Sequence, residues 1–171
     1  MDNASFEYLS SLQCARQWRS FLQAFAAELR VQYAEPEVAA LMRRVGGRFA
    51  QGVELGPCNT LWDLQLAMGR VWVGLDWGWV ALEESAHHLR IRHHCTPLLA
   101  AFGSDAERWS PAFLEGVYQE WFHQAGAGQL QVRQAAGFDD AGGIELHLAA
   151  PVSQGVADVW VRPAAPQQAP S

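Results

Sequence analysis

Between Cys58 and Glu84 the chain reads CNTLWDLQLAMGRVWVGLDWGWVALEE, which puts four of its eight tryptophans, Trp62, Trp72, Trp77 and Trp79, into one short segment. Side chains of this size dominate buried contact energy, so whatever covers them decides the fold. Thr60-Leu61-Trp62-Asp63 has the form of a capping box, in which the threonine hydroxyl takes an orphan backbone N–H and Asp63 is favoured by the helix dipole. A helix is predicted from there to about Val73. Gly74-Leu75-Asp76 breaks it. WGWVALE then alternates with period two and predicts a strand, with Trp77, Trp79, Ala81 and Glu83 on one face and Val80 and Leu82 on the other. Core packing, a carbohydrate platform and a subunit interface would all use tryptophans in this way.

The flanking elements narrow the choice. Trp18, Phe21, Leu22, Phe25 and Leu29 recur at helical spacing and predict a first helix over roughly Ala15 to Tyr33. Pro36 suits the first turn of a second helix, where its missing N–H costs nothing, and Val38, Leu41, Met42, Val45 and Phe49 form the apolar stripe. Gly46 and Gly47 interrupt that helix at a cost of about 1 kcal/mol each relative to alanine, which implies close approach by another backbone, within the fold or across a dimer. HLRIRHH predicts a second strand, with Leu89, Ile91 and His93 opposite Arg90, Arg92 and His94. Trp109-Ser110-Pro111 reads as a helix start, Ser110 capping, Pro111 at the first helical position and Trp109 stapled to Leu114. Gly126 ends that helix. LQVRQA, a GFDDAGG turn, IELHLA and ADVWVR follow as short strands. Helices and strands segregate, so the fold class is α+β, with helices packed on a small antiparallel sheet in a single domain. The boundaries are a flexible lead-in over residues 1–14, a folded domain over 15–162 and a proline-rich, disordered tail over 163–171.

A length of 171 residues with 50% hydrophobic content fits one domain, and a net charge of −6 with 12 scattered basic residues, all arginines, excludes a nucleic-acid partner. The start lacks the basic and apolar pattern of a secretory signal, and no run reaches the roughly 18 apolar residues that spanning a bilayer needs. A cytoplasmic protein without direct membrane insertion is expected, with a periplasmic one as the alternative. Cys14, Cys58 and Cys95 are widely spaced and odd in number, which suits reduced thiols.

His87-His88 and His93-His94-Cys95 invite a metal reading, but adjacent strand residues point to opposite faces and no pair presents two ligands together. Glu83 and Glu84 diverge for the same reason, and strand-end solvation is their expected role. No phosphate loop, nucleophile elbow or Ser/His/Asp set is present, and Cys14 has no assignable base. No catalytic residue, metal or cofactor is expected.

Taken with their order, SFLQAFAAEL, LMRRVGGRFA, CNTLWDLQ leading to LDWGWVALEE, LRIRHH and WSPAFLEGVYQEWF resemble the D subunit of bacterial cellulose synthase complexes over roughly Trp18 to Ala127. The lead-in before Trp18 and the proline-rich tail depart from that pattern. The resemblance implies a non-enzymatic accessory subunit that assembles as a cylindrical octamer, a tetramer of dimers, and organises synthase complexes or emerging glucan chains into ordered fibres. It implies as partners other cellulose synthase subunits or accessory proteins, and β-1,4-glucan itself. Leu12, Gln13, Cys14, Ala15 and Arg16 match the region that would line a glucan passage. The oligomer-interface candidates are Gly46, Gly47, Trp62, Trp72, Trp77 and Trp79, because a closed oligomer buries a second apolar surface besides its core. The helix and strand pattern is also similar to small-molecule-binding and tethering domains of the vinyl-reductase and haem nitric-oxide-binding type, for which His123 is the helical haem-ligand candidate.

Overall fold

Two glycines let two helices touch, and the rest of the domain is arranged around that contact. In the computed structural model, which describes residues 14–151, helix α1 spans Arg16–Gln32, α2 Glu35–Gln51 and α3 Leu61–Gly74. Strands β1 (Trp79–Glu84) and β2 (Leu89–His94) form a hairpin, followed by the short helix α4 (Leu98–Phe102), the buried helix α5 (Ala112–Phe122), and strands β3 (Gln131–Gln134) and β4 (Ile144–Ala149). A Cβ at Gly46 of α2 would lie 2.0 Å from the Phe113 carbonyl oxygen, and one at Gly116 of α5 would lie 2.0 Å from that of Arg43. Only glycine at both positions allows this crossing. The close approach expected at the glycine pair is therefore met within the fold, by Gly46. At Gly47 the nearest atom to a Cβ is the Gly116 oxygen, 4.0 Å away.

The four strands are antiparallel in the order β1-β2-β4-β3. Val80 pairs with His93, Leu82 with Ile91, Ile91 with Leu146 and Val132 with Leu148, and this face carries the buried residues against the helices. The fold is α+β, as the segregation of elements predicts. The opposite face is charged. Arg90 pairs with Glu83 at 3.1 Å and with Glu145 at 3.4 Å, and His147 Nε2 lies 3.0 Å from Glu145.

Helix side chains close both rims of the sheet. Leu82 N on β1 donates to Gln65 Oε1 at 2.6 Å, while on β3 Val132 N donates to Gln119 Oε1 at 2.9 Å and Gln134 N to Glu115 Oε1 at 2.7 Å. Glu115 also takes Arg43 Nε at 3.0 Å, so one carboxylate ties α5 to α2 and to the sheet. Its burial is tolerable because each oxygen is hydrogen-bonded.

Local capping follows the sequence at one helix and departs from it at another. The Thr60 hydroxyl accepts Asp63 N at 3.0 Å and Asp63 accepts Thr60 N at 3.0 Å, the predicted box. Ser110 does not cap. Turns starting at Ala106 already bond the backbone N–H groups of Ser110, Ala112 and Phe113, the helix begins at Ala112, and the Ser110 hydroxyl is buried with no hydrogen bond among the described residues. Gly126 has φ of 91°, consistent with its predicted role as a stop, although α5 proper ends at Phe122 and one wider turn intervenes. The lead-in up to residue 13, the ADVWVR strand and the tail over 163–171 lie outside the described residues.

Candidate assembly surface

The tryptophans divide into a core set and a surface set. Trp72, fully buried, is the centre of the core: Phe49 and Trp77 stack on it at 5.8 and 5.7 Å, and Trp121, Tyr118 and His93 approach at 5.1, 6.0 and 4.9 Å. His93 is hydrogen-bonded through both nitrogens, Nε2 to Trp77 O at 2.7 Å and Nδ1 to the Tyr118 hydroxyl at 2.7 Å. A carbonyl only accepts, so Nε2 carries the proton and Nδ1 accepts from Tyr118. Burial pushes the imidazole down to about 4, which keeps it neutral.

The prediction that Trp77 and Trp79 share a strand face is corrected here. Gly78, at φ of 78°, leaves no room for a side chain because a Cβ would sit 1.8 Å from the His94 carbonyl oxygen. This left-handed residue breaks the alternation before the strand begins. Trp77 is consequently turned inward onto Trp72, whereas Trp79 is half-exposed and stacks on His94 at 5.1 Å. Trp62 is exposed on α3. Of the six interface candidates, Gly46 and Trp72 are enclosed by the chain's own core, Gly47 and Trp77 are half-buried, and Trp62 and Trp79 are open to solvent. Cys14, Ala15 and Arg16 stand at the start of α1, and Leu12 and Gln13 lie outside the described residues.

The largest open aromatic feature is on α1, where sequence reasoning saw a helix stripe but named no interface residue. Ala26 and Leu29 are buried, and Arg30 Nη1 donates to Asp105 O at 3.1 Å beyond α4. The adjoining flank carries Trp18, Phe21 and Phe25, which are 54%, 58% and 47% exposed. Trp18 meets Phe21 edge-on at 6.0 Å, and Phe21 stacks on Phe25 at 6.4 Å. These three rings form a continuous ridge. The signal in the sequence is width: three aromatics beside Leu22, Ala26 and Leu29 make a stripe broader than docking on one side requires.

A second open surface lies on α3. Leu64, Ala67, Met68 and Trp72 face the core, while Trp62, Leu66 and Val73, on the other side of the same helix, are exposed. An apolar line left exposed opposite a buried face is a surface that another molecule can cover.

No comparable concentration of reactive groups accompanies these surfaces. An open groove of about 680 Å³ between the Cys58–Leu61 turn, the β1-β2 hairpin and the end of β4 is lined by His87 and His88, but Cys58 Sγ donates to Gly56 O at 3.6 Å, away from either. Among the described residues, no three His, Cys, Asp or Glu side chains are grouped to hold a metal ion. His123, the candidate haem ligand, is largely exposed at the end of α5 beside Glu120. Among the described residues, no helix is long and apolar enough to cross a membrane.

Comparison with known proteins shows the family. The family model for the D subunit of cellulose synthase matches residues 4–149, which ends where β4 ends. A cellulose synthase operon protein D from Komagataeibacter xylinus is 30% identical over 115 residues, covering 66% of this chain and 74% of its own, and that from Komagataeibacter sucrofermentans gives the same figures. Another from Komagataeibacter xylinus is 33% identical over 103 residues, covering 59% of this chain and 66% of its own. With one family model spanning most of the lead-in, the packed helices and the whole sheet, the chain belongs to the cellulose synthase D-subunit family.

Proposed function

We propose that this protein is a non-catalytic scaffold of bacterial cellulose synthesis. It assembles as a closed octamer, a tetramer of dimers, and holds synthase complexes or emerging glucan chains in the fixed arrangement from which ordered fibres form. The observation that carries this reading is the Trp18–Phe21–Phe25 ridge, left half-exposed beside the buried Ala26 and Leu29 of the same helix. Apolar patches of this kind mark surfaces that another molecule covers. A tetramer of dimers needs more than one kind of contact, and α1 and α3 offer two separate apolar surfaces for it.

Other cellulose synthase subunits are the partners, and the contribution of the assembly is geometric, raising the effective concentration of components held at fixed spacing. Glucan passes beside the α1 start, where Cys14, Ala15 and Arg16 follow Leu12 and Gln13. The protein works on the cytoplasmic side. Size-exclusion chromatography with light scattering tests assembly: an octamer is expected, and a monomer at micromolar concentration overturns the scaffold. In a deletion strain, cellulose should be reduced or disorganised while isolated membranes still polymerise glucan. Loss of polymerisation in those membranes would overturn the accessory role.

A further inference from the structure

The outer face of α3 has an internal symmetry that specifies its occupant. Trp62, Leu66, Gly69 and Val73 fall on one line of the helix, opposite the buried line of Leu64, Met68 and Trp72. Trp62 precedes the helix midpoint, between Ala67 and Met68, by as much as Val73 follows it, and Leu66 mirrors Gly69 in the same way. When two such helices lie antiparallel about a two-fold axis through that midpoint, each large residue meets a small one: Trp62 faces Val73 and Leu66 faces Gly69, twice over. An isologous contact requires this self-complementarity.

Gly69 supplies an independent reason. It sits in mid-helix, where glycine weakens the helix relative to alanine, and outside its own helix no atom of the described residues lies within 4 Å of where its Cβ would be. Elsewhere in the molecule, mid-helix glycines at a helix crossing, Gly46 and Gly116, are filled by a neighbouring backbone. The charges agree as well. Asp63 and Arg70, two turns apart, share one flank of the line, and Arg70 makes no ion pair among the described residues. Asp63 uses Oδ2 to accept Asn59 N and Thr60 N, which leaves Oδ1 for a cation. In an antiparallel pair like flanks meet, which brings each Arg70 to the Asp63 of the other copy.

We propose that α3 pairs antiparallel with α3 of a second copy, Leu66 over Gly69, as one of the two-fold contacts of the assembly. This rests on the scaffold reading and specifies its surface. The contact buries Trp62 and closes the reciprocal Asp63–Arg70 pairs.

Gly69→Phe tests it. The substituted position is open in the described chain, so the helical circular dichroism signal should hold while the assembled mass by light scattering falls at least two-fold. Co-expressed chains carrying Leu66→Cys and Gly69→Cys should give a covalent dimer on oxidation, and neither substitution alone should do so, because the paired positions are on different copies. That cross-link decides the matter should Gly69→Phe prevent folding. If the unsubstituted protein assembles while Gly69→Phe leaves its mass unchanged and the mixed cysteines do not cross-link, the α3 pairing is overturned and the scaffold reading stands. An unsubstituted chain that remains monomeric overturns both.

Discussion

The α2–α5 seam and the α1 ridge use the same apolar chemistry to opposite ends. At the seam, Gly46 and Gly116 bring two backbones into contact and Phe49, Phe113 and Trp121 fill the space around them. On the ridge, the ring contacts of Trp18, Phe21 and Phe25 among the described residues are with one another, and about half of their surface is in water. Aromatic density therefore does not by itself say where a residue is buried. What separates the two regions is whether the chain supplies a second surface, and on α1 the described residues supply one for a single flank only.

Substitutions can break this contrast from either side. The largest effect is expected at the seam: Gly46→Val drives a branched side chain into the Phe113 carbonyl and should cost about 3 kcal/mol or more, the upper range of overpacking. Urea denaturation would show it, and a midpoint unchanged from the parent would mean the seam is looser than its geometry.

A second effect of about 3 kcal/mol belongs to the core beneath the seam and is set by pH. His93 remains neutral in the fold down to about 4, whereas in the unfolded chain it takes up a proton as pH falls through 6.5. Its contribution is thus fully present above pH 6.5 and is lost progressively between 6.5 and 4. Denaturation midpoints across that window should fall more steeply for the parent than for His93→Phe, which lowers stability at neutral pH by stranding the Tyr118 hydroxyl and the Trp77 carbonyl. Parallel slopes would show that another group controls the acid limb.

The smallest effect on the chain is expected on the ridge. Phe21→Ser with Phe25→Ser removes exposed rings, so chain stability measured in an unassembled background should stay within about 0.5 kcal/mol, while the assembled mass falls. A large drop in stability would place the ridge in the chain's own core and erase the contrast.

Much of this architecture was legible where its cause is local. The Thr60–Asp63 box, the Pro36 helix start and the alternation of LRIRHH depend on residues a few positions apart, and each formed as read. Trp-Gly-Trp misled because the left-handed Gly78 breaks the alternation and turns Trp77 away from the face of Trp79, an effect that alternation counts miss. Ser110 misled because turns already under way left its cap nothing to satisfy. The candidate surface was half legible. Periodicity identified the α1 helix, and it identifies an apolar face without naming what covers that face. The rim contacts of Gln65, Gln119 and Glu115 were not readable at all, since a polar residue on a helix does not announce which strand it will meet.

Those rim contacts have a consequence for how copies of the chain can meet. An open strand rim is a template on which the next molecule can add without limit, and every added copy exposes a fresh rim. Here amide and carboxylate side chains from the chain's own helices occupy backbone donors on β1 and β3, the outer strands of the described sheet. Growth by strand addition is thereby opposed, and contact is left to helical surfaces, whose number is finite and whose geometry can close on itself. A sheet finished in this way resists becoming a filament of its own strands.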